Sequence, residues 1–482
     1  MRRGKILVTM AVLLPTIVAV LGLAMDTGLL MTQQRELQHA ADAAATAVSI
    51  HRQQGGDPAQ CSSVARSIVE VENQLSSVNI TLNNPPSSGT YAGSSKHVEV
   101  ILSRNATIYF MPVLFGDSFR TVSARGVAGF ESSTTGAAVV VLDPDPDNLS
   151  IAGIPLILPA LPALVAGLEV LGAGSVEVDG AVLVNTEWGG KDEKGKPAGD
   201  GPGIPYGMSC TPLLPLTKLE ARDIRVVGGV DNPNYYVNYV TGEASPLHAN
   251  RLPVPDPLKT IPPPTLASDP ANVKSTTYGG KTIVGIPLIG LPTVLQPGVY
   301  DWIVVVSGKV IFQPGVYIIR SKDPVTQLSL SIVAGEVQAN GVMFYITDSA
   351  GYTPASGSPD ISDGETKPAA SLLTVLPSTV IDVGLINSSF SSLSDASSPY
   401  NGMLIFQRRK DRRPIVLLQT QILLGGSMEG TVYSKWGHII VSGQGTYNCR
   451  LVSGTMRFLT VLDCKVKPTS LLPAATDVYL ME

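Results

Sequence analysis

The feature that most constrains this chain is the run from Ile6 to Met25, twenty consecutive residues without a charge. As a helix rising about 1.5 Å per residue, the run covers about 30 Å, the thickness of a bilayer's hydrocarbon core. Arg2, Arg3 and Lys5 precede it, and the next basic residue is Arg35. The positive-inside rule then places the N-terminus in the cytoplasm and everything beyond Asp26 outside it. A cleaved signal peptide would carry an apolar region of about 7–15 residues and a small-x-small cleavage site. This run is longer and has no clean site of that kind, so a retained single-pass anchor in the inner (cytoplasmic) membrane is expected. Asp26 falls at the outer edge of the run. An ionisable residue there has two readings, capping or interfacial duty near the headgroups and a specific partner contact.

The helical pattern continues past Asp26. Leu37, Ala41, Ala44 and Val48 recur at intervals of four, three and four, one face of a 3.6-residue period, and the alanines permit close packing. Gly55, Gly56 and Pro58 then stop it. The expectation is one long pilin-like helix, membrane-buried at its start and amphipathic at its end.

Several motifs stand in fixed order along this segment. They are Arg3-Gly4, Leu14-Pro15 within the apolar run, Met25-Asp26-Thr27-Gly28, Leu37-Gln38, and Ala40-Ala41-Asp42-Ala43-Ala44-Ala45. Over residues 2–50 the sequence resembles the N-terminal region of TadG-like proteins, Flp (tight-adherence) pilus-assembly proteins related to TadE pseudopilins. The resemblance marks Gly4, Pro15, Asp26, Gly28, Leu37, Ala41, Asp42 and Ala44 as motif and helix-packing candidates. One position departs from pilins. A prepilin peptidase substrate carries Glu five residues after the cleavage glycine, and here that position is Thr9, which argues against pilin-like processing.

Four segments follow from the rest of the pattern. Residues 1–56 are the transmembrane and amphipathic helix. Residues 57–130 read as a small α/β module, with a helix at about 59–74, half-buried strands at 97–101 and 121–127, and the apolar stretch 110–115 between them. Residues 131–470 change texture, with strand-length apolar runs alternating with glycine, serine, asparagine and Pro-Gly turns. Residues 471–482 form a tail. Within the large segment Pro-Gly-Val-Tyr occurs at 297–300 and again at 314–317, and glycine opens apolar strands at Gly180, Gly341, Gly402 and Gly430. Self-similarity of this kind signals stacked supersecondary units. The fold class expected is therefore mainly β: a transmembrane helix, the small module, and a right-handed parallel β-helix-like solenoid, with a β-sandwich as the alternative. A Gly/Pro-rich insertion at about 188–270 is expected to be loop in part, excursing from the solenoid and lying on its surface. The Val-Leu-Asp-Pro opening at 141–144 and the paired Pro-Gly-Val-Tyr units also resemble the extracytoplasmic region of TadG-like proteins.

The residues give little sign of chemistry. A formal net charge of −5 provides no basic footprint for nucleic acid. Cys61, Cys210, Cys449 and Cys464 contain no CxxC pair, and the five histidines show no metal-ligand spacing. Cys449 and Cys464 are either a disulfide or buried thiols. His438 reads as a packed histidine. Asn185-Thr186-Glu187 faintly echoes a hydrolase motif without the paired carboxylates a β-helix glycosidase needs. Asp360, Asp363 and Glu365 form an acidic loop with Ca²⁺-type ligands. Arg408, Arg409, Lys410, Arg412 and Arg413 make a basic loop, read as a solvated turn or a grip on an anionic glycan or lipid surface. No catalytic, cofactor or metal residue is assigned, and no cofactor is expected. The function expected is a non-enzymatic, membrane-anchored component of pilus assembly or a related secretion apparatus. Its partners would be pilins, pseudopilins or platform proteins, reached through the helix face. An anchored adhesin binding envelope glycan is the alternative, and a polysaccharide-active enzyme a third.

Overall fold

The computed structural model describes every residue except 1–2, 113–115, 117, 149, 154–159, 213–216, 286–290, 360–363, 372–374, 421–425 and 482. It is mainly β, with one long apolar helix at the N-terminus. The chain divides into two units, Met1–Ser132 with Thr476–Glu482, and Ser133–Ala475.

The first unit is built on α1 (Arg3–Gln53). Gly55, at φ +75°, sits just past its end, and the amides of Gly55 and Gly56 return to the carbonyls of Arg52 and His51. A left-handed residue at this place lets the last carbonyls find donors, and only glycine takes it without strain. A short 3-10 turn, the helix α2 (Cys61–Ser67) and one π turn (Ile68–Glu72) follow. Three strands, β1 (Asn79–Asn83), β2 (His97–Thr107) and the first part of β3 (Phe119–Val141), pair antiparallel in the order β1–β2–β3. Alternation along β2 turns Val98, Val100 and Leu102 toward Leu37, Ala41, Ala44 and Val48 of α1, and all of these are buried in one cluster. The approach is close: a Cβ on Gly126 of β3 would stand 2.6 Å from the Ala41 carbonyl oxygen.

The opposite face of β2 carries a buried carboxylate, Glu99. It accepts hydrogen bonds from the Ser87 amide (3.0 Å) and hydroxyl (2.6 Å), the Asn83 amide (2.7 Å) and the Arg125 guanidinium (2.6 Å). Burial by itself opposes ionisation here. The Ser87, Asn83 and Arg125 donors more than offset it and hold the carboxyl down at about 2.

In the second unit the ladder pairings are parallel and their registers run from strand to strand. Residues 298–300 lie beside 317–319, 315–319 beside 342–346, and 344–346 beside 405–407. A second ladder takes 303–305 to 330–332, 379–382 and 415–418, then to 439–443. The two Pro-Gly-Val-Tyr units thus fall on neighbouring strands, and the rings of Tyr300 and Tyr317 stack at 5.9 Å. The six repeated glycines all have positive φ; Gly298 and Gly315 begin their strands and Gly402 precedes one, whereas Gly180, Gly341 and Gly430, expected to open strands, lie inside them. The recurrent unit is therefore a backbone corner that other residues would enter only with strain.

Sequence order and ladder order differ. Residues 139–141 of β3 lie beside 451–453 on one side and, through β5 (Val176–Val184), continue to 223–226 on the other. The insertion at 188–270 is loop only in part. Its first half contributes two ladder strands, Tyr206–Pro212 and Leu219–Val226, paired with β4 (Ala166–Gly172) and β5. These strands are short and set among Gly-Pro turns, which hides their alternation. The second half, residues 251–274, has no regular strand. Val254, Leu258, Ile261 and Leu266 pack against the cluster containing Val140, Leu183, Phe406 and Tyr433, so this strap lies on the ladder rather than out in solvent.

The four cysteines are buried free thiols. In the core, burial pushes the Cys449 thiol far above its ordinary range and raises that of Cys464 to about 12.

Candidate functional site

Of the residues picked out on α1, Asp26, Leu37, Ala41 and Ala44 share one buried face, whereas Pro15 and Gly28 lie exposed off it. Gly22, Asp26, Leu37, Ala41, Ala44 and Val48 are buried, while Val18, Leu21, Met25 and Leu29 around the first two are exposed. Asp26 is fully buried although it belongs to the otherwise exposed half of the helix. Its carboxylate accepts three backbone hydrogen bonds in succession, from the amides of Tyr109 (3.0 Å), Phe110 (2.8 Å) and Met111 (2.6 Å). One turn earlier, the Phe110 ring rests on Gly22, where a Cβ would come within 2.6 Å of the ring carbons. Gly22 was not singled out from the sequence. The i, i+4 spacing of a glycine and an aspartate within an apolar run was the available signal.

Leu37, Ala41 and Ala44 carry no exposed surface, because β2 and β3 of the same chain cover them. The expectation that this face packs on pilins or platform proteins therefore meets a face already occupied. Gln38 beside it donates 2.8 Å hydrogen bonds to both Asp42 and the Arg125 carbonyl, fixing the hairpin along the helix. Arg104 of β2 pairs with Glu36 at 3.0 Å. Gly28 is exposed with open space around it. Pro15 stands exposed within the helix, where it offers no N–H, and the Thr16 hydroxyl donates to the nearby Leu13 carbonyl at 3.1 Å. Gly4 lies in the first turns of α1. On the side away from the sheet, His39 and Ala43 are exposed.

In the second unit the basic loop is not a solvated turn. Arg409, Arg412 and Arg413 are buried, together with Asp411. Arg409 Nη2 faces the carbonyls of Leu258 (2.7 Å), Lys259 (3.1 Å) and Ile261 (3.0 Å), and its Nε donates to the Tyr433 hydroxyl at 2.9 Å. The cation satisfies strap carbonyls that have no ladder partner, which is why it is inside. Arg413 pairs with Asp411 at 2.8 Å, and Arg412 with Asp147. Asp143, buried beside Lys367 (2.8 Å), has its carboxyl raised by that burial, with Lys367 and Arg412 opposing the rise. Another ion pair, Arg457–Glu169 at 2.5 Å, is almost wholly enclosed.

In the hydrolase-like triplet Asn185 and Thr186 bind backbone groups, and the Glu187 side chain is exposed. Asn185 exchanges two 2.8 Å hydrogen bonds with the Val254 backbone, and Thr186 donates to the Asp143 carbonyl. Burial, with the Arg457 cation nearby, drives the His438 pKa down to about 3, so its imidazole is neutral at physiological pH. Asp360 and Asp363 of the acidic loop lie outside the described residues; Glu365 pairs with Lys435 at 3.0 Å. Among the described residues no three His, Cys, Asp or Glu side chains converge as metal ligands. A cleft of about 470 Å³ opens beside the strap, walled by Pro262, Thr265, Tyr345, Phe406, Arg408 and Lys410.

The helix and its family signature coincide. Residues 4–52 match the Tad family, described as Flp pilus-assembly TadE/G-like. The match covers α1 almost end to end and contains Asp26 and the alanine face, as the resemblance in the sequence implied. No curated protein and no solved structure matches the chain.

Proposed function

We propose that this chain is a single-pass, membrane-anchored and non-enzymatic component of Tad (Flp) pilus assembly or a related secretion apparatus. The observation that carries the reading is the Tad match on a helix whose first half exposes apolar side chains and whose second half is packed by the chain's own sheet. Exposed leucines, valines and methionines around a helix suit lipid rather than water. Arg2, Arg3 and Lys5 favour a cytoplasmic N-terminus, with the chain beyond Asp26 outside the cytoplasm.

In this reading the second unit is a parallel β-solenoid, supported by parallel registers that carry from strand to strand and by the repeated positive-φ glycines. Its role is scaffolding: ladder faces presented to envelope partners. Removing the gene from a piliated cell tests the proposal. Surface pili are expected to disappear while pilin is still made, with full-length chain restoring them; normal piliation in the deletion would sink the assembly role. A second reading, an anchored glycan-binding protein, is favoured by the cleft with Tyr345 and Phe406 beside Arg408 and Lys410. Binding of the full chain to envelope glycans, lost in Phe406→Ala, would favour it.

A further inference from the structure

The three amides that Asp26 holds belong to the tip of the β2–β3 hairpin, and that tip is unusual chemically. Its described residues Ile108, Tyr109, Phe110, Met111 and Pro112 carry no charge. Among the described residues four aromatic side chains are largely exposed: Tyr109 (67 %), Phe110 (40 %), Phe119 (59 %) and Tyr479. The first three belong to this one tip, where the Ile108 amide meets the Ser118 carbonyl and Thr107 is in register with Phe119.

The height of the tip along α1 follows from its contacts. Arg104 meets Glu36 and Gly126 meets Ala41, so the hairpin descends along the helix as its residue numbers approach 110. Its amides reach Asp26, and the Phe110 ring reaches Gly22, which lies about 6 Å further toward the N-terminus at 1.5 Å per residue. Gly22 is inside the uncharged run, and the helix surface beside it (Val18, Leu21, Met25) is apolar and exposed.

We propose that this tip is a second membrane contact, with Tyr109 and Phe110 seated in the non-cytoplasmic leaflet beside the helix and Asp26 holding their backbone amides. The proposal rests on the membrane-anchor reading above. A loop entering lipid must bring its own hydrogen-bond partners, because nothing there accepts from a free N–H. Asp26 supplies acceptors for three consecutive amides, and the tip in return removes the carboxylate from the lipid-facing surface. Tyrosine at this height suits the interfacial zone, where an aromatic body with a polar tip is favoured, and the wholly apolar phenylalanine ring suits the acyl side of it. Gly22 lets the ring lie against the helix backbone. The occupant is lipid rather than a protein partner because the exposed rings of Tyr109 and Phe110 stand beside the apolar helix surface of Val18, Leu21 and Met25.

The test uses the full-length chain in vesicles of phosphatidylethanolamine and phosphatidylglycerol. The photoreactive benzoylphenylalanine is placed in turn at Val18, at Phe110 and at the exposed Ser95. Lipid adducts are expected at positions 18 and 110, with at least half the yield at 110, and background at 95. Adducts at 18 with only background at 110 would overturn the proposal and leave the anchor standing. Background at 18 as well would remove the anchor reading and the proposal with it. Asp26→Ala is expected to lower the yield at 110 at least fivefold with that at 18 unchanged, and Gly22→Leu to do the same by displacing the ring. Amide exchange in β2 reports in each variant that the unit is folded, and undiminished yield at 110 in folded Asp26→Ala would overturn the role given to the carboxylate.

Discussion

Glu99 offers the sharpest quantitative prediction. A carboxyl held at about 2 instead of 4.5 favours the ionised folded unit by about 3 kcal/mol. The side chain has no exposed surface, so solvent screening takes little from that figure. The sign follows from the lowered pKa. The stabilisation is fully present above about pH 4.5 and is lost as the pH falls toward 2. Glu99→Gln removes the charge at every pH and turns an amide NH₂ toward a site crowded with donors. Hydrogen–deuterium exchange of the full chain in detergent at pH 7 reads the change at the amides of β2 and of residues 119–129. These amides are expected to exchange about two orders of magnitude faster, since about 1.4 kcal/mol is tenfold. The gap between wild type and variant should close as the pH approaches 2. Exchange changed by less than threefold at pH 7, or a gap independent of pH, would refute the reasoning.

Other consequences are equally concrete. Arg409→Ala leaves three strap carbonyls without their donor, so residues 254–266 should open by about 2–5 kcal/mol more readily, seen as faster proteolysis there. Arg409→Lys should rescue little, because the planar fork is what meets several acceptors, and full rescue would count against the account. Gly126→Ala places a methyl group against the Ala41 backbone and should cost about 1–3 kcal/mol, read as a lower urea midpoint for the first unit. The parallel register sets Lys309 beside Glu336, with a 2.8 Å ion pair. The double replacement Lys309→Cys with Glu336→Cys should form a disulfide on mild oxidation, since neighbouring strands stand about 4.8 Å apart. Persistent free thiols would contradict that register.

How far the sequence reaches depends on how far apart the partners are. The helix was legible because its signals are local: the uncharged run, the alanine period, and Gly55 at the stop. So were β2 and β3, whose alternation reports one buried face. The repeated glycines were legible as a repeat, and the positive φ at Gly298, Gly315 and Gly341 explains why. Asp26 was visible as an oddity, but its partners are main-chain amides 83–85 residues away, and a backbone donor leaves no mark in the residue type. The same holds for Arg409, whose acceptors are carbonyls about 150 residues upstream. Five cations within six positions suggest a wet turn; the strap carbonyls that meet Arg409, and the carboxylates of Asp147 and Asp411 that pair with Arg412 and Arg413, show why three of them are inside. The helix face at Leu37, Ala41 and Ala44 was correctly seen as a packing face, yet a sequence period cannot say which surface it meets.

The central claim, a Tad assembly component acting from the membrane, is tested most directly in cells by photocrosslinking from the exposed side of α1. With benzoylphenylalanine at His39 or Ala43, both exposed, the account predicts adducts containing pilins, pseudopilins or platform proteins of the Tad system. Position 41, covered by the chain's own sheet, should give only internal links. Adducts at 39 and 43 that contain no pilus component, in cells actively making pili, would contradict it.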